Sequence, residues 1–230
     1  MKSHSNLFLR CIFATAVILS GCEQRDKTES SSFNNDDSEV VLALVLDLSS
    51  SSIELFQEDR VGLQFTRSLI EHYQRAYPGR NGKLILAQLS GGGDPLLWEG
   101  NPTDLLRDYD SYGSLHQMLV SKSNPNGSRI HEGLSRTFDY LLKHRAVQDG
   151  ARPAVFVLSD MLDNGADGTK YEQQVMVSLK EFGKRGGISG FYFVHQSQLE
   201  RWRTNLTDAG VTDCLVSADI VARPPLPSFD

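Results

Sequence analysis

From Val40 to Leu46 the chain runs through seven consecutive apolar residues, Val-Val-Leu-Ala-Leu-Val-Leu. A strand with one wet face would alternate. An unbroken run predicts a strand covered on both faces, as in a parallel sheet with helices on either side. Shorter runs recur at Leu84-Ile85-Leu86-Ala87, Ala154-Val155-Phe156-Val157-Leu158 and Phe191-Tyr192-Phe193-Val194. Helical periodicity lies between them. Val61, Phe65, Leu69 and Tyr73 step by four, as do Ile130, Leu134 and Phe138, with Leu141 and Leu142 continuing that face. Two more helices are expected over 171–184 and 198–209. The resulting order is strand, helix, strand, short strand, helix, strand, helix, strand, helix, strand. It predicts an α/β fold: an open, mostly parallel central sheet with helices on both faces and right-handed crossovers. In such a sheet the ligand crevice lies beyond the C-terminal ends of the strands.

The ends of the chain read differently. Lys2 and Arg10 precede an apolar stretch from Cys11 to Leu19, and Leu19-Ser20-Gly21-Cys22 follows. A basic start, a short apolar core and small residues before a cut suit a secretory signal, and the core is too short to span a bilayer. The Leu-Ser-Gly-Cys ending resembles the processing site of bacterial lipoproteins. That resemblance implies that residues 1–21 are removed and that Cys22 becomes a lipidated first residue, with an ordinary secretory signal as the alternative. Glu23 stands where an Asp would retain many proteobacterial lipoproteins in the inner membrane. The expected location is therefore the bacterial cell envelope, at the outer membrane facing the periplasm if the cell is Gram-negative. Residues 22–39 comprise Cys22 and then a stretch, 23–39, that is polar apart from Phe33 and reads as a tether. Residues 40–222 form the expected domain. Residues 223–230, rich in proline, are expected to be extended and outside the core.

Composition narrows the function classes. The 230 residues carry 23 basic and 29 acidic side chains, a net charge of −6, which does not suit a nucleic-acid binder. Removing residues 1–21 takes away two basic residues and no acid, so the remainder carries −8. Three cysteines exclude a disulfide scaffold, and Cys214 is expected to be a small buried side chain.

The chemistry-bearing residues sit where strands end. The first strand runs into Asp47-Leu48-Ser49-Ser50-Ser51, and the run 154–158 into Ser159-Asp160. Asn126-Gly127-Ser128 stands immediately before the helix that carries Ile130. By themselves Asp47 and Ser49 also suit a helix cap, and Asp160 a turn with the residues up to Gly165. Asp163 and Asp167 read as solvated loop residues, and Gly91-Gly92-Gly93-Asp94 as a flexible turn, since no Gly-Lys-Ser/Thr follows it. His131-Glu132 lacks the second His of a zinc-protease helix.

Taken together, Asp-x-Ser-x-Ser, Gly-Ser before a helix, and Ser-Asp after a later buried strand resemble the von Willebrand factor A domain. The resemblance spans roughly 40–220 and implies a Rossmann-like fold with one short antiparallel edge strand, over 96–98. It also implies a metal-ion-dependent adhesion site built from Asp47, Ser49, Ser51, Ser128 and Asp160. Ser128 stands for the family's usual Thr, Ser50 and Met161 for frequent glycines, and none of these changes removes a coordinating oxygen. The implied cofactor is Mg²⁺, or Mn²⁺ or Ca²⁺, hard ions that take oxygen ligands. Neutral serine oxygens leave the ion's charge poorly cancelled, so an open position favours a Glu or Asp from a protein partner. The expected function is a lipid-anchored binding module, not an enzyme. Two alternatives stand beside it. One is a metal-free envelope scaffold. The other is a phosphatase of the haloacid dehalogenase type with Asp47 as nucleophile, in which Ser49 occupies the place of the needed second Asp.

Overall fold

The computed structural model describes residues 40–50, 52–77, 82–89, 94–123, 127–165, 168–218 and 224–229. In chain order the elements are β1 (Val40–Leu46), α1 (Val61–Ala76), β2 (Lys83–Gln88), β3 (Leu96–Gly100), α2 (Pro102–Asp108), α3 (Tyr112–Lys122) and α4 (Ile130–Lys143). They continue with α5 (Arg145–Gln148), β4 (Arg152–Leu158), α6 (Gly168–Lys184), β5 (Ile188–Tyr192), α7 (Leu199–Asp208) and β6 (Asp213–Val216). Among the described residues the strands form one sheet in the order β3-β2-β1-β4-β5-β6. Only the β2–β3 pairing is antiparallel. This is the expected fold class, including its short antiparallel edge strand. No helix among the described residues is long and apolar enough to cross a membrane.

The alternation of side chains along each strand explains why the central runs are apolar throughout. All seven residues of β1 are buried. Val40, Leu42, Leu44 and Leu46 face one layer with Leu84 and Leu86 of β2 and Ala154, Phe156 and Leu158 of β4. That layer is closed by Leu63, Phe65, Leu69, Ile70 and Tyr73 of α1, Leu105 of α2 and Leu115 and Leu119 of α3. Val41, Ala43 and Val45 face the opposite layer, under Leu134 and Phe138 of α4, Leu179 and Phe182 of α6, and Trp202 and Leu206 of α7. Each such aliphatic or aromatic side chain contributes about 1.5–3 kcal/mol when fully withdrawn from water.

Several expectations need correction. The fourth apolar run was expected as a strand over 191–194, but β5 is Ile188–Tyr192. Phe193 has φ 64°, a backbone that ends the strand, while Ser189 and Gly190 are tolerated inside it because β4 and β6 pair on both sides. Helices α2 and α3 were not expected. Their apolar faces are small, but their starts carry local signals. The Asn101 side chain accepts from Thr103 N–H at 2.9 Å ahead of Pro102, and Ser111 and Ser114 form a reciprocal capping box. Cys214 is exposed, on a strand whose only sheet neighbour among the described residues is β5. Partial burial of the thiol and the neighbouring Asp213 raise its pKa. The C-terminal segment does not stay outside the core. Phe229 is 8% exposed, within 6.0 Å of the rings of His72, Tyr73, Tyr77 and Phe156, and its carbonyl accepts from the Tyr77 hydroxyl.

Candidate functional site

The chain leaves β1 toward β2 on one side and returns to β4 on the other. The strand order therefore reverses between β1 and β4, the place where open α/β sheets form a crevice. Leu46 and Leu158 are in register, and Asp47 N–H donates to Leu158 O at 3.0 Å, so Asp47 and Ser159 leave the sheet side by side. Ser128 arrives from a different direction. Gly127, at φ 87°, turns the chain, and Arg129 N–H donates to Leu89 O at 3.1 Å just past the end of β2. Helix α4 then lies so close to that strand end that a Cβ on Gly133 would stand 2.9 Å from Leu89 Cα.

These backbone constraints gather side chains from all three loops. Asp47 has no exposed surface. The Ser128 hydroxyl lies 3.2 and 3.1 Å from its two carboxylate oxygens and 2.8 Å from Ser49 Oγ. The Ser159 hydroxyl donates to Asp47 Oδ2 at 3.0 Å, and Ser49 N–H donates to Oδ1 at 3.1 Å. Local capping accounts for the last bond alone. Bonds to residues 81 and 112 positions away make Asp47 the hub of a long-range network.

Asp160 lies on the same rim, half-buried. Burial is the largest influence on its carboxyl and raises the pKa. The Leu162 N–H, donating at 2.9 Å, opposes this, the charge of Asp47 adds to it, and His195 opposes it in turn; the net shift is upward. The loop that follows is tightly wound. Met161 holds φ 62° while only 2% exposed, a left-handed backbone that favours glycine. The structure thus brings Asp47, Ser49, Ser128 and Asp160 to one rim. Ser51, the fifth expected ligand, and Cys22, the expected lipidation site, lie outside the described residues, as does Asp167.

Two participants were missed. Ser159 was read as part of a motif without a role of its own, yet its hydroxyl joins β4 to Asp47 and accepts from Met161 N–H at 2.9 Å. Its signal was its place as the last residue before the rim acid. Asp163 was expected to be solvated, but its carboxylate bonds the backbone N–H and ring Nδ1 of His131. No sequence spacing pairs those two residues, because they lie 32 positions apart.

The rim fits a hard cation by its donor set, which is oxygen throughout. Two serine oxygens are in contact, and two acidic side chains lie close enough for the charge of one to disfavour ionisation of the other. Among the described residues no group of three or more His, Cys, Asp or Glu could hold a metal ion, so the oxygens that meet at the rim are mainly those of serines. A cavity of about 680 Å³ elsewhere, between β2, β3 and α4, is lined by Ile85, Ala87, Leu96, Arg136 and Tyr140, and no rim residue lines it.

No protein-family model matches the chain, and no curated protein matches it. Solved structures do. The N-terminal domain of TFIIH p34 superposes with a TM-score of 0.53 at 11% identity, over 81% of this chain and 94% of that one. The pilus adhesin SpaC from Lactobacillus rhamnosus GG gives 0.52 at 13% identity, over 80% of this chain and 28% of the adhesin. An aerotolerance-related membrane protein from Bacteroides fragilis superposes less well, at 0.46 and 14% identity, over 78% of this chain and 92% of that one. At identities this low the first two likenesses establish the fold alone. It is an α/β architecture, a mostly parallel six-stranded sheet between two helical layers.

Proposed function

We propose that the rim of Asp47, Ser49, Ser128 and Asp160 is a divalent-cation site through which this domain binds an acidic side chain of a protein partner. The chain works in this reading as a binding module, not an enzyme. One observation supports it above others: hydroxyls from loops 79 residues apart, Ser49 and Ser128, meet at 2.8 Å beside a carboxylate with no exposed surface. When bound, Mg²⁺ or a similar ion would supply concentrated positive charge for an outside carboxylate. Ser49 and Ser128 would offer neutral oxygens and Asp160 a charged one, with Ser51 as a further hydroxyl. Asp47 would orient the two loops by accepting hydrogen bonds from the Ser49 N–H and the Ser128 hydroxyl. Lipidated Cys22 would hold the domain at the bacterial envelope, with residues 23–39 as tether.

A metal-free scaffold is the second reading, favoured by the way Asp47 already has its oxygens bonded by Ser49 N–H and by the Ser128 and Ser159 hydroxyls. The phosphatase reading is not supported, because a nucleophile must face its substrate and Asp47 is fully buried. The discriminating experiment is a thermal melt of the purified protein in EDTA and then in excess Mg²⁺ or Mn²⁺. An ion at about 100 times its Kd stabilises the folded state by about 2.7 kcal/mol. For a domain of this size that raises the midpoint by about 5–10 °C, and Asp47→Asn abolishes the rise. A midpoint unmoved by either ion would leave the scaffold reading in its place.

A further inference from the structure

Three loops meet at the rim, and each pair is tied. The first and second are joined by Ser128 to Asp47 and Ser49. The first and third are joined by the Ser159 hydroxyl to Asp47. The second and third are joined through side chains outside the candidate ligand set and by one backbone bond to the Ser128 carbonyl. Asp163 Oδ2 accepts from the His131 backbone N–H at 3.2 Å and is bonded to His131 Nδ1. Its Oδ1 accepts from Gly165 N–H at 2.8 Å, and Asn164 N–H donates to Ser128 O at 3.0 Å.

We infer that Asp163 and His131 are positioning residues that set the spacing between Ser128 and Asp160. Asp163 follows Asp160 by three residues and His131 follows Ser128 by three, so their contact bridges the two ligand loops without using an oxygen of either ligand. The His131 ring is held in place. It is 5% exposed and stacks on Trp202 with centroids 5.9 Å apart and planes inclined by 22°. With Nδ1 donating to the carboxylate, the imidazole points its other edge into the core, so the pair serves the rim as a brace. The inference takes its functional meaning from the cation-site reading, while the brace itself can be measured without any ion.

The test compares Asp163→Ala, His131→Ala and His131→Asn in the full chain. The Asn side-chain amide can donate to Asp163 from near the place of Nδ1 but leaves space beside Trp202. Amide hydrogen exchange at Met161, Leu162 and Asn164 is followed in EDTA, and Mn²⁺ affinity by the electron paramagnetic resonance signal of free Mn²⁺. Both Ala variants should speed exchange at these amides, and Mn²⁺ affinity should fall by about tenfold or more. His131→Asn should still lower the melting midpoint, though by less than His131→Ala, and keep exchange and affinity within about threefold of wild type. Wild-type exchange and affinity in Asp163→Ala, or His131→Asn indistinguishable from His131→Ala in both, would overturn the inference. If the unaltered protein binds no Mn²⁺, the cation-site reading fails by itself and the exchange comparison alone decides the brace.

Discussion

Replacing Asp47 by Ala removes the acceptor shared by Ser49 N–H, the Ser128 hydroxyl and the Ser159 hydroxyl, at 3.1, 3.1 and 3.0 Å. A hydrogen bond to a charged group contributes about 1.5–3 kcal/mol, and a buried donor left without an acceptor costs about 1–3 kcal/mol. Ser128 can turn toward Ser49 Oγ, 2.8 Å away, so its loss is partly recovered. The Ser159 hydroxyl, with no exposed surface, keeps among the described residues the bond it accepts from Met161. Relief from burying a carboxylate offsets part of the remainder, leaving a net loss of about 3 kcal/mol. In a domain of this size that lowers the melting midpoint by about 6–12 °C. Asp47→Asn keeps one carbonyl oxygen, and serine hydroxyls can accept from its amide, so the loss is about 1 kcal/mol. Circular dichroism melts in EDTA measure both without any contribution from an ion. An Ala variant within about 2 °C of wild type, or an Asn variant less stable than the Ala variant, would refute the hub role of Asp47.

Other consequences are as specific. At Met161 the usual order of Ala over Gly should invert: the left-handed backbone costs a side chain about 1 kcal/mol that glycine does not incur, so Met161→Gly melts above Met161→Ala though below wild type. Burial raises the Asp163 pKa, but bonds from the His131 side chain and from the Gly165 and His131 N–H groups outweigh it and hold the carboxyl below its ordinary 3.8. A depressed acid stabilises the fold above its unfolded pKa and loses that contribution as pH falls through the folded value. Denaturant titrations should therefore show wild-type stability dropping below about pH 4, and Asp163→Asn should flatten that part of the profile. Phe229→Ala opens a space among His72, Tyr73, Tyr77 and Phe156 and should cost about 3 kcal/mol, read as a lower denaturant midpoint with unchanged slope. A wild-type midpoint would mean the segment does not dock.

Fold class was legible because burial on both faces of β1, β2 and β4 demands unbroken apolar runs, and because α1, α4 and α6 each present an apolar stripe at helical spacing. The short α2 was not legible by periodicity, since a helix of seven residues with one fully buried leucine has no stripe to read, whereas α3 carries Leu115, Met118 and Leu119 at helical spacing and was missed although that short signal was present. β5 was displaced because a glycine and a serine inside a doubly paired strand look like a boundary. Along the rim, strand ends announced Asp47 and Asp160, and a Gly-Ser turn announced Ser128. The brace from Asp163 to His131 was hidden, because its partners come from different layers and only the completed sheet brings them together. The docking of Phe229 escaped for the same reason: its pocket is assembled from α1 and β4.

The proposed binding of a partner depends on a divalent ion held at the rim. Crystals grown with Mn²⁺ and measured at the manganese absorption edge test it most directly. An anomalous peak is expected at the rim, in contact with oxygens of Ser49 and Ser128. A well-ordered rim with no peak there, at Mn²⁺ concentrations that saturate ordinary oxygen sites, would contradict it.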